Sequence, residues 1–180
     1  SVFDNTEGKL NKQYIVATGG CVSTVGDFKI HVFNASSNFD VTSAGNSGGS
    51  NTVDYLVVAG GGSGSNAPPS GPAGPVYLTG GGGAGGYRES GGNASGCYSI
   101  GLPANSCVAG LPVSATAYPI TVGAGGAAIT GSGNGSATPG NSGSNSIFST
   151  ITSAGGGAGS PQATAGTAGG SGGGAGGGNQ

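Results

Sequence analysis

Hydrophobic and polar positions alternate over residues 26–33, "GDFKIHVF". Phe28, Ile30 and Val32 fall on one face and Lys29, His31 and Phe33 on the other, the period-two pattern of a β-strand. "QYIVAT" at 13–18 and "NFDVTS" at 38–43 read as further strands, separated by Gly, Asn and Ser punctuation. Residues 53–58, "VDYLVV", are apolar on both faces apart from Asp54. That pattern predicts a central strand covered on both sides. No stretch combines a helical period with caps, so essentially no α-helix is expected. Residues 1–12 are polar and charged and read as an arm, which makes 13–58 a small antiparallel β-rich base.

Beyond residue 58 each short apolar run empties into glycine. The junctions are "VDYLVVAGGGSGS", "PVYLTGGGGAGGY", "YPITVGAGG" and "FSTITSAGGGAG", and the glycine blocks are 59–64, 80–86, 123–126, 154–159 and 169–178. Ordering one backbone residue costs roughly 1–2 kcal/mol, and glycine loses more freedom than any other residue while burying no side chain. Such blocks fold only if their peptide groups bond one another. The polyproline II type of helix has three residues per turn and no internal hydrogen bonds, so every N–H and C=O is free to bond sideways. The expected fold is therefore all-β and irregular: the β base, then a body, 59–180, of packed polyglycine II helices. Exposed loops are expected at 65–79, 87–118, 127–147 and 160–168.

Composition sharpens this. Glycine (45) and proline (9) reach a level that ordinarily signals disorder. Disorder also brings low hydrophobicity and high net charge, whereas mean hydropathy here is zero and the net charge is −2. No Gly-every-third repeat persists long enough for collagen. Eight charged side chains (Asp4, Glu7, Lys9, Lys12, Asp27, Lys29, Asp40, Asp54) precede residue 55, and only Arg88 and Glu89 follow. Four cations make no footprint for nucleic acid or for an anionic membrane. No apolar run reaches the length of a membrane span. The chain contains no Met and stops inside a glycine block, and so reads as a processed product or a piece of something longer.

Catalytic motifs fail on context. Gly62-Ser63-Gly64-Ser65-Asn66-Ala67 fits G-x-G-x-x-A after a strand, with Glu89 about where a ribose-binding acid would fall. A helix must follow such a loop, and "PPSGPAGP" cannot be helical. The single histidine, His31, sits mid-strand, where a hydrogen-bonded sheet histidine is commoner than a triad member. One histidine and scattered thiols make a poor zinc set. Neither catalytic residues nor a metal or cofactor are expected. Cys97 and Cys107 either bridge a ten-residue span in an oxidising place or remain thiols, and Cys21 has no obvious partner.

"GDFKIHVF", "VDYLVVAGGGSG", "GGGGAGGYRES", "ITVGAGG", "NSGSNSIFSTITSAGGGAG" and "GGSGGGAGGG", taken in order over roughly 18–178, resemble the glycine-rich domain of bacteriophage tail-fibre and other virion structural proteins. The related fibre-tip adhesins of T-even-like phages pack polyglycine II helices into a sandwich whose loops, at one end, contact the host receptor. This resemblance implies a virion protein, outside the cell, recognising a host surface glycan or outer-membrane protein alongside other fibre proteins. The alternative is a purely structural part: a capsid decoration, a fibre shaft or a self-assembling filament subunit. Tyr77, Tyr98, Tyr118 and Asn105 are the candidate receptor-binding residues, because they lie in the variable segments and tyrosine offers an apolar face with a hydroxyl. Tyr87, Arg88 and Glu89 follow the longest glycine block and are expected to be structural, Arg88 pairing with Glu89 or with backbone carbonyls.

Overall fold

The computed structural model describes residues 11–67, 78–90, 109–130, 137–162 and 164–177. These contain no α-helix, as the absence of a helical period predicts. Thirteen short strands are present among them: β1 (Ile15–Thr18), β2 (Cys21–Val25), β3 (Phe28–Val32), β4 (Ser37–Ala44), β5 (Thr52–Val53), β6 (Leu56–Val58), β7 (Tyr87–Glu89), β8 (Leu111–Pro112), β9 (Ala117–Thr121), β10 (Ser146–Phe148), β11 (Ile151–Ser153), β12 (Ser160–Gln162) and β13 (Ala175–Gly176). The chain divides into two compact units, Ser1–Leu56 with Glu89–Ile120 and Val57–Arg88 with Thr121–Gln180.

In the first unit β4 lies between β1 and β9, antiparallel to both. A bulge between Val16 and Ala17 re-aims β1. Ala17, Phe39, Val41 and Val113 form its buried core. The tight Gly19–Gly20 turn feeds β2 and β3, an antiparallel hairpin in which Val25 faces Phe28 and Val22 faces His31. Asn46 clips the incoming chain. Its Oδ1 accepts from the amides of Gln13 (3.1 Å), Gly48 (3.1 Å) and Gly49 (3.0 Å) while its Nδ2 donates to Asn11 O (2.7 Å).

The fold settles which face β3 turns outward and corrects one expectation about the strands. The apolar face of β3 exists but points to solvent: Phe28 is 56% exposed, and Ile30 and Val32 are exposed too. The opposite side turns inward because the His31 ring packs edge-on against Phe39 at 5.1 Å and donates from Nδ1 to Gly19 O at 2.8 Å. Residues 53–58 form two short strands instead of one central strand. Ser90 Oγ donates to Asp54 Oδ1 (2.9 Å) and accepts from Tyr55 N (3.0 Å), which fixes a break between β5 and β6. β5 pairs with β8 and β6 with β7. Only Val57 of β6 is buried, and Leu56 is 62% exposed.

The second unit is built from backbone. Six extended segments, 57–66, 79–87, 121–130, 137–145, 154–160 and 169–177, lie side by side and are called first to sixth below. The first donates to the second at Ala59, Gly62 and Ser65, to the carbonyls of Gly86, Gly83 and Gly80. It donates to the fourth at Gly60, Ser63 and Asn66, to Ser144, Asn141 and Thr138. Each neighbour is thus served by every third residue, the period of a polyglycine II helix.

The fifth segment is the centre. Gly156 and Gly159 donate to the first segment, Gly157 and Ser160 to the sixth, Gly155 to Asn145 Oδ1, and Ala158 to Thr167 Oγ1. The carbonyls of 154–160 all accept, from Gly86, Gly170, Gly143, Gly83, Thr167, Gly140 and Gly80 in order. Every peptide group of 155–160 is paired, and all six residues are buried. Such pairing is demanded wherever backbone is removed from water. A Cβ on Gly156 would lie inside the carbonyl of Gly83, and one on Gly157 inside that of Thr167. Among the described residues the buried apolar side chains of this unit are few: Val57, Ala59, Phe148 and Ala158.

The sequence places 127–147 among the loops, yet 137–145 is a full member of this array. Only its glycines at 140 and 143, three apart, face the central segment. A contiguous glycine block is therefore not required; one bare position per turn suffices.

Candidate functional site: the loop-bearing end of the glycine unit

The hydrogen-bond registers give each segment a direction. The first, third, fifth and sixth run one way, and the second and fourth run back. Asn66, Thr79, Thr138 and Ser160 consequently meet at one end. Asn66 and Thr138 exchange N–H···O bonds of 2.9 and 3.0 Å, and Thr79 bridges to Pro161. Two connections join segments at this end, 67–78 and 131–136. The expected loop at 160–168 is no loop at its start. Residues 160–162 are β12, paired with β13, and Thr164 N donates to Pro161 O at 3.2 Å as the chain turns back to Thr167 beside Ala158. The chain leaves the unit after Arg88 and re-enters at Thr121, at the other end.

Side chains brace the loop-bearing end where peptide groups alone do not reach. Ser65 Oγ accepts from Gly80 N (2.9 Å) and Ser63 Oγ from Asn141 N (2.8 Å). Asn141 Nδ2 donates to Ala127 O (2.9 Å), and Ser142 Oγ meets Thr167 Oγ1 at 3.1 Å. The whole unit holds one charged side chain, Arg88, and that lies away from this end. The connections 67–78 and 131–136 contain no charged residue either.

A family model described as a glycine-rich domain matches residues 24–180. The chain belongs to the glycine-rich domain family. No curated protein and no solved structure matches it. The match begins inside β2 and takes in the whole array, so the domain includes both units.

Within this glycine-rich domain, Tyr77, Tyr98, Asn105, Cys97 and Cys107 lie outside the described residues. Tyr118, expected in a loop, is in β9 opposite Phe39, because Tyr118 and Ile120 continue the alternation of a strand. Its hydroxyl is engaged by Ser114, accepting from the backbone N at 2.9 Å and sharing a hydrogen with Oγ at 3.2 Å. These bonds, first from the Ser114 hydroxyl and then from its amide, hold the Tyr118 pKa below the ordinary 10.0. Tyr87, Arg88 and Glu89 form β7, and Arg88 donates to Tyr87 O at 3.4 Å. Cys21 is a free, exposed thiol beside an open cleft of about 230 Å³ that Val32, Phe33 and Asn34 help line.

The residues that sequence reasoning missed are the bracing ones, Ser63, Asn66, Thr138, Asn141 and Ser144. A signal for them exists. They fall three apart, at 60/63/66 and 138/141/144, the positions through which the first and fourth segments face each other.

Proposed function

We propose that this glycine-rich domain is a structural component of a virus particle, in a tail fibre or at its tip, and that it recognises the host cell surface through connections held on the glycine array. The observation that carries this reading is that the first and second segments, and the third and fourth, are joined at one and the same end of the array, by 67–78 and 131–136. A scaffold closed by main-chain bonds tolerates any sequence in those connections, as a recognition surface requires. The ordered resemblance to virion proteins supports the setting: outside the cell, beside other fibre proteins, facing a glycan or an outer-membrane protein. The chain acts by rigidity and contact, with no catalytic step.

A second reading, a shaft, capsid decoration or filament subunit, is favoured by the peptide groups on the outer segments that have no partner among the described residues. Replacing 67–78 and 131–136 with Gly/Ser chains of equal length separates the two. Particle assembly should be unchanged and adsorption to host cells lost. Adsorption equal to that of the parent would leave only the structural reading, and loss after exchange of 91–108 alone would move recognition to the segment holding Tyr98 and Asn105.

A further inference from the structure

The central segment uses all its peptide groups; its neighbours do not. On the second segment Gly80, Gly83 and Gly86 donate inward to Ser160, Gly157 and Ala154. The amides of Gly81, Gly82, Ala84 and Gly85 donate to no described residue. The fourth segment is the converse. Its amides at Thr138, Gly140, Asn141, Gly143 and Ser144 are committed and, over 138–144, only that of Ser142 donates to no described residue, whereas the carbonyls of Pro139, Gly140, Ser142 and Gly143 accept from none. Both segments bond the first and the fifth and not each other, so they flank that pair on opposite sides. Among the described residues the second segment, over 80–86, leaves four amides and two carbonyls, those of Gly82 and Gly85, without a partner. The fourth, over 138–144, leaves four carbonyls and one amide, so one flank is richer in donors and the other in acceptors. Gly81, Gly82 and Ala84 on one, and Pro139 and Ser142 on the other, are exposed.

We propose that these flanks are complementary and that copies of this chain associate side by side through them, the amides of Gly81 and Ala84 in one copy bonding the carbonyls of Pro139 and Ser142, likewise three apart, in the next. What either flank requires is a chain in the same extended conformation, bare at every third position, with the opposite set of groups unpaired. A second copy offers that on its other side, and the contact continues the hydrogen-bond pattern already present between segments. Unpaired peptide edges recruit further chains in β-sheets for the same reason. Because donors and acceptors sit on opposite flanks, the contact is head to tail and does not close at two copies. A segment of seven residues at about 3.1 Å each spans only about 22 Å, and the contact covers a fraction of the roughly 800 Å² per partner of a stable interface. Rows therefore form when copies are concentrated or anchored in parallel. This holds whether or not the connections recognise a host.

Two single-flank variants and their mixture test it by sedimentation velocity over a concentration series. At Gly81 an added Cβ meets nothing within 4 Å, so Gly81→Lys preserves the fold while blocking the donor flank. Pro139→Lys, at an exposed position of the fourth segment, blocks the acceptor flank. Slow amide exchange at 155–160 in both variants checks that the array is intact. The parent should sediment as progressively longer species with no plateau at a dimer. Each variant alone should remain a monomer, and their equimolar mixture, with one good flank of each kind, should stop at a dimer. A parent that stays monomeric to its solubility limit, a parent that plateaus at a dimer, or variants that associate like the parent would each overturn the proposal.

Discussion

A methyl group added to Gly156 would lie inside the carbonyl of Gly83, whereas one added to Gly81 would meet nothing within 4 Å. The same residue type thus serves two purposes in one array. Gly156→Ala should lower stability by about 2 kcal/mol or more, the size of an overpacked core position. Gly81→Ala should be neutral or stabilise by about 0.4–1 kcal/mol, because alanine narrows the unfolded ensemble without straining the native backbone. Urea unfolding of the two variants checks both signs. Tyr118 gives a second test at this scale. Its pKa is depressed in the folded chain, chiefly by the Ser114 hydroxyl. The stability this contributes is present only above the ordinary tyrosine value and disappears as pH falls through the folded one. Ultraviolet titration of the parent and of Ser114→Ala should differ by one tyrosine, whose ionisation moves up toward 10.0 in the variant.

Among the elements, the contrast lies between the central segment and its neighbours. Residues 155–160 bond through every N–H and C=O, two of them to side chains of Asn145 and Thr167. Exchange of their amides should require opening of the whole array and be the slowest in the chain. The amides of Gly81, Gly82, Ala84 and Gly85 should exchange orders of magnitude faster in dilute solution; mass spectrometry of peptic fragments compares them directly. How much of this the sequence discloses follows from what each element uses for cohesion. The blocks 80–86 and 154–159 are plain because contiguous glycine has no other use after an apolar strand. Segment 137–145 is hidden, since its requirement is one small residue in three and Thr138, Asn141 and Ser144 disguise it. The strands of 13–58 are legible from alternation, but the side they present is not. His31 and Phe39 decide that through a contact between residues eight apart on different strands.

At the scale of the whole molecule, charge is confined to one part of the chain. Eight of ten charged side chains precede residue 55, and the glycine unit keeps Arg88 alone. Attraction between unlike charges, the ordinary long-range guide to a partner and one that salt screens, is therefore missing from the loop-bearing end. Under the proposed role, adsorption of particles carrying this protein should change little between low and physiological salt, as read from the rate at which free particles disappear from a host suspension. A steep decline with salt would assign recognition to the charged unit instead. The candidate tyrosines are less legible than the scaffold. Tyr118 shows why: an aromatic in a variable stretch looks like a contact residue until its strand partner, Phe39, is known.

The closure of the central segment on its own main chain carries a consequence for heredity. A body that coheres through groups common to all amino acids reads little of its own side-chain alphabet, apart from the demand for bareness once per turn. Mutations in the connections 67–78 and 131–136 then leave the cohesion of the array untouched, and a lineage bearing this architecture can exchange those stretches wholesale, by recombination at their glycine-rich borders, without rebuilding the rest.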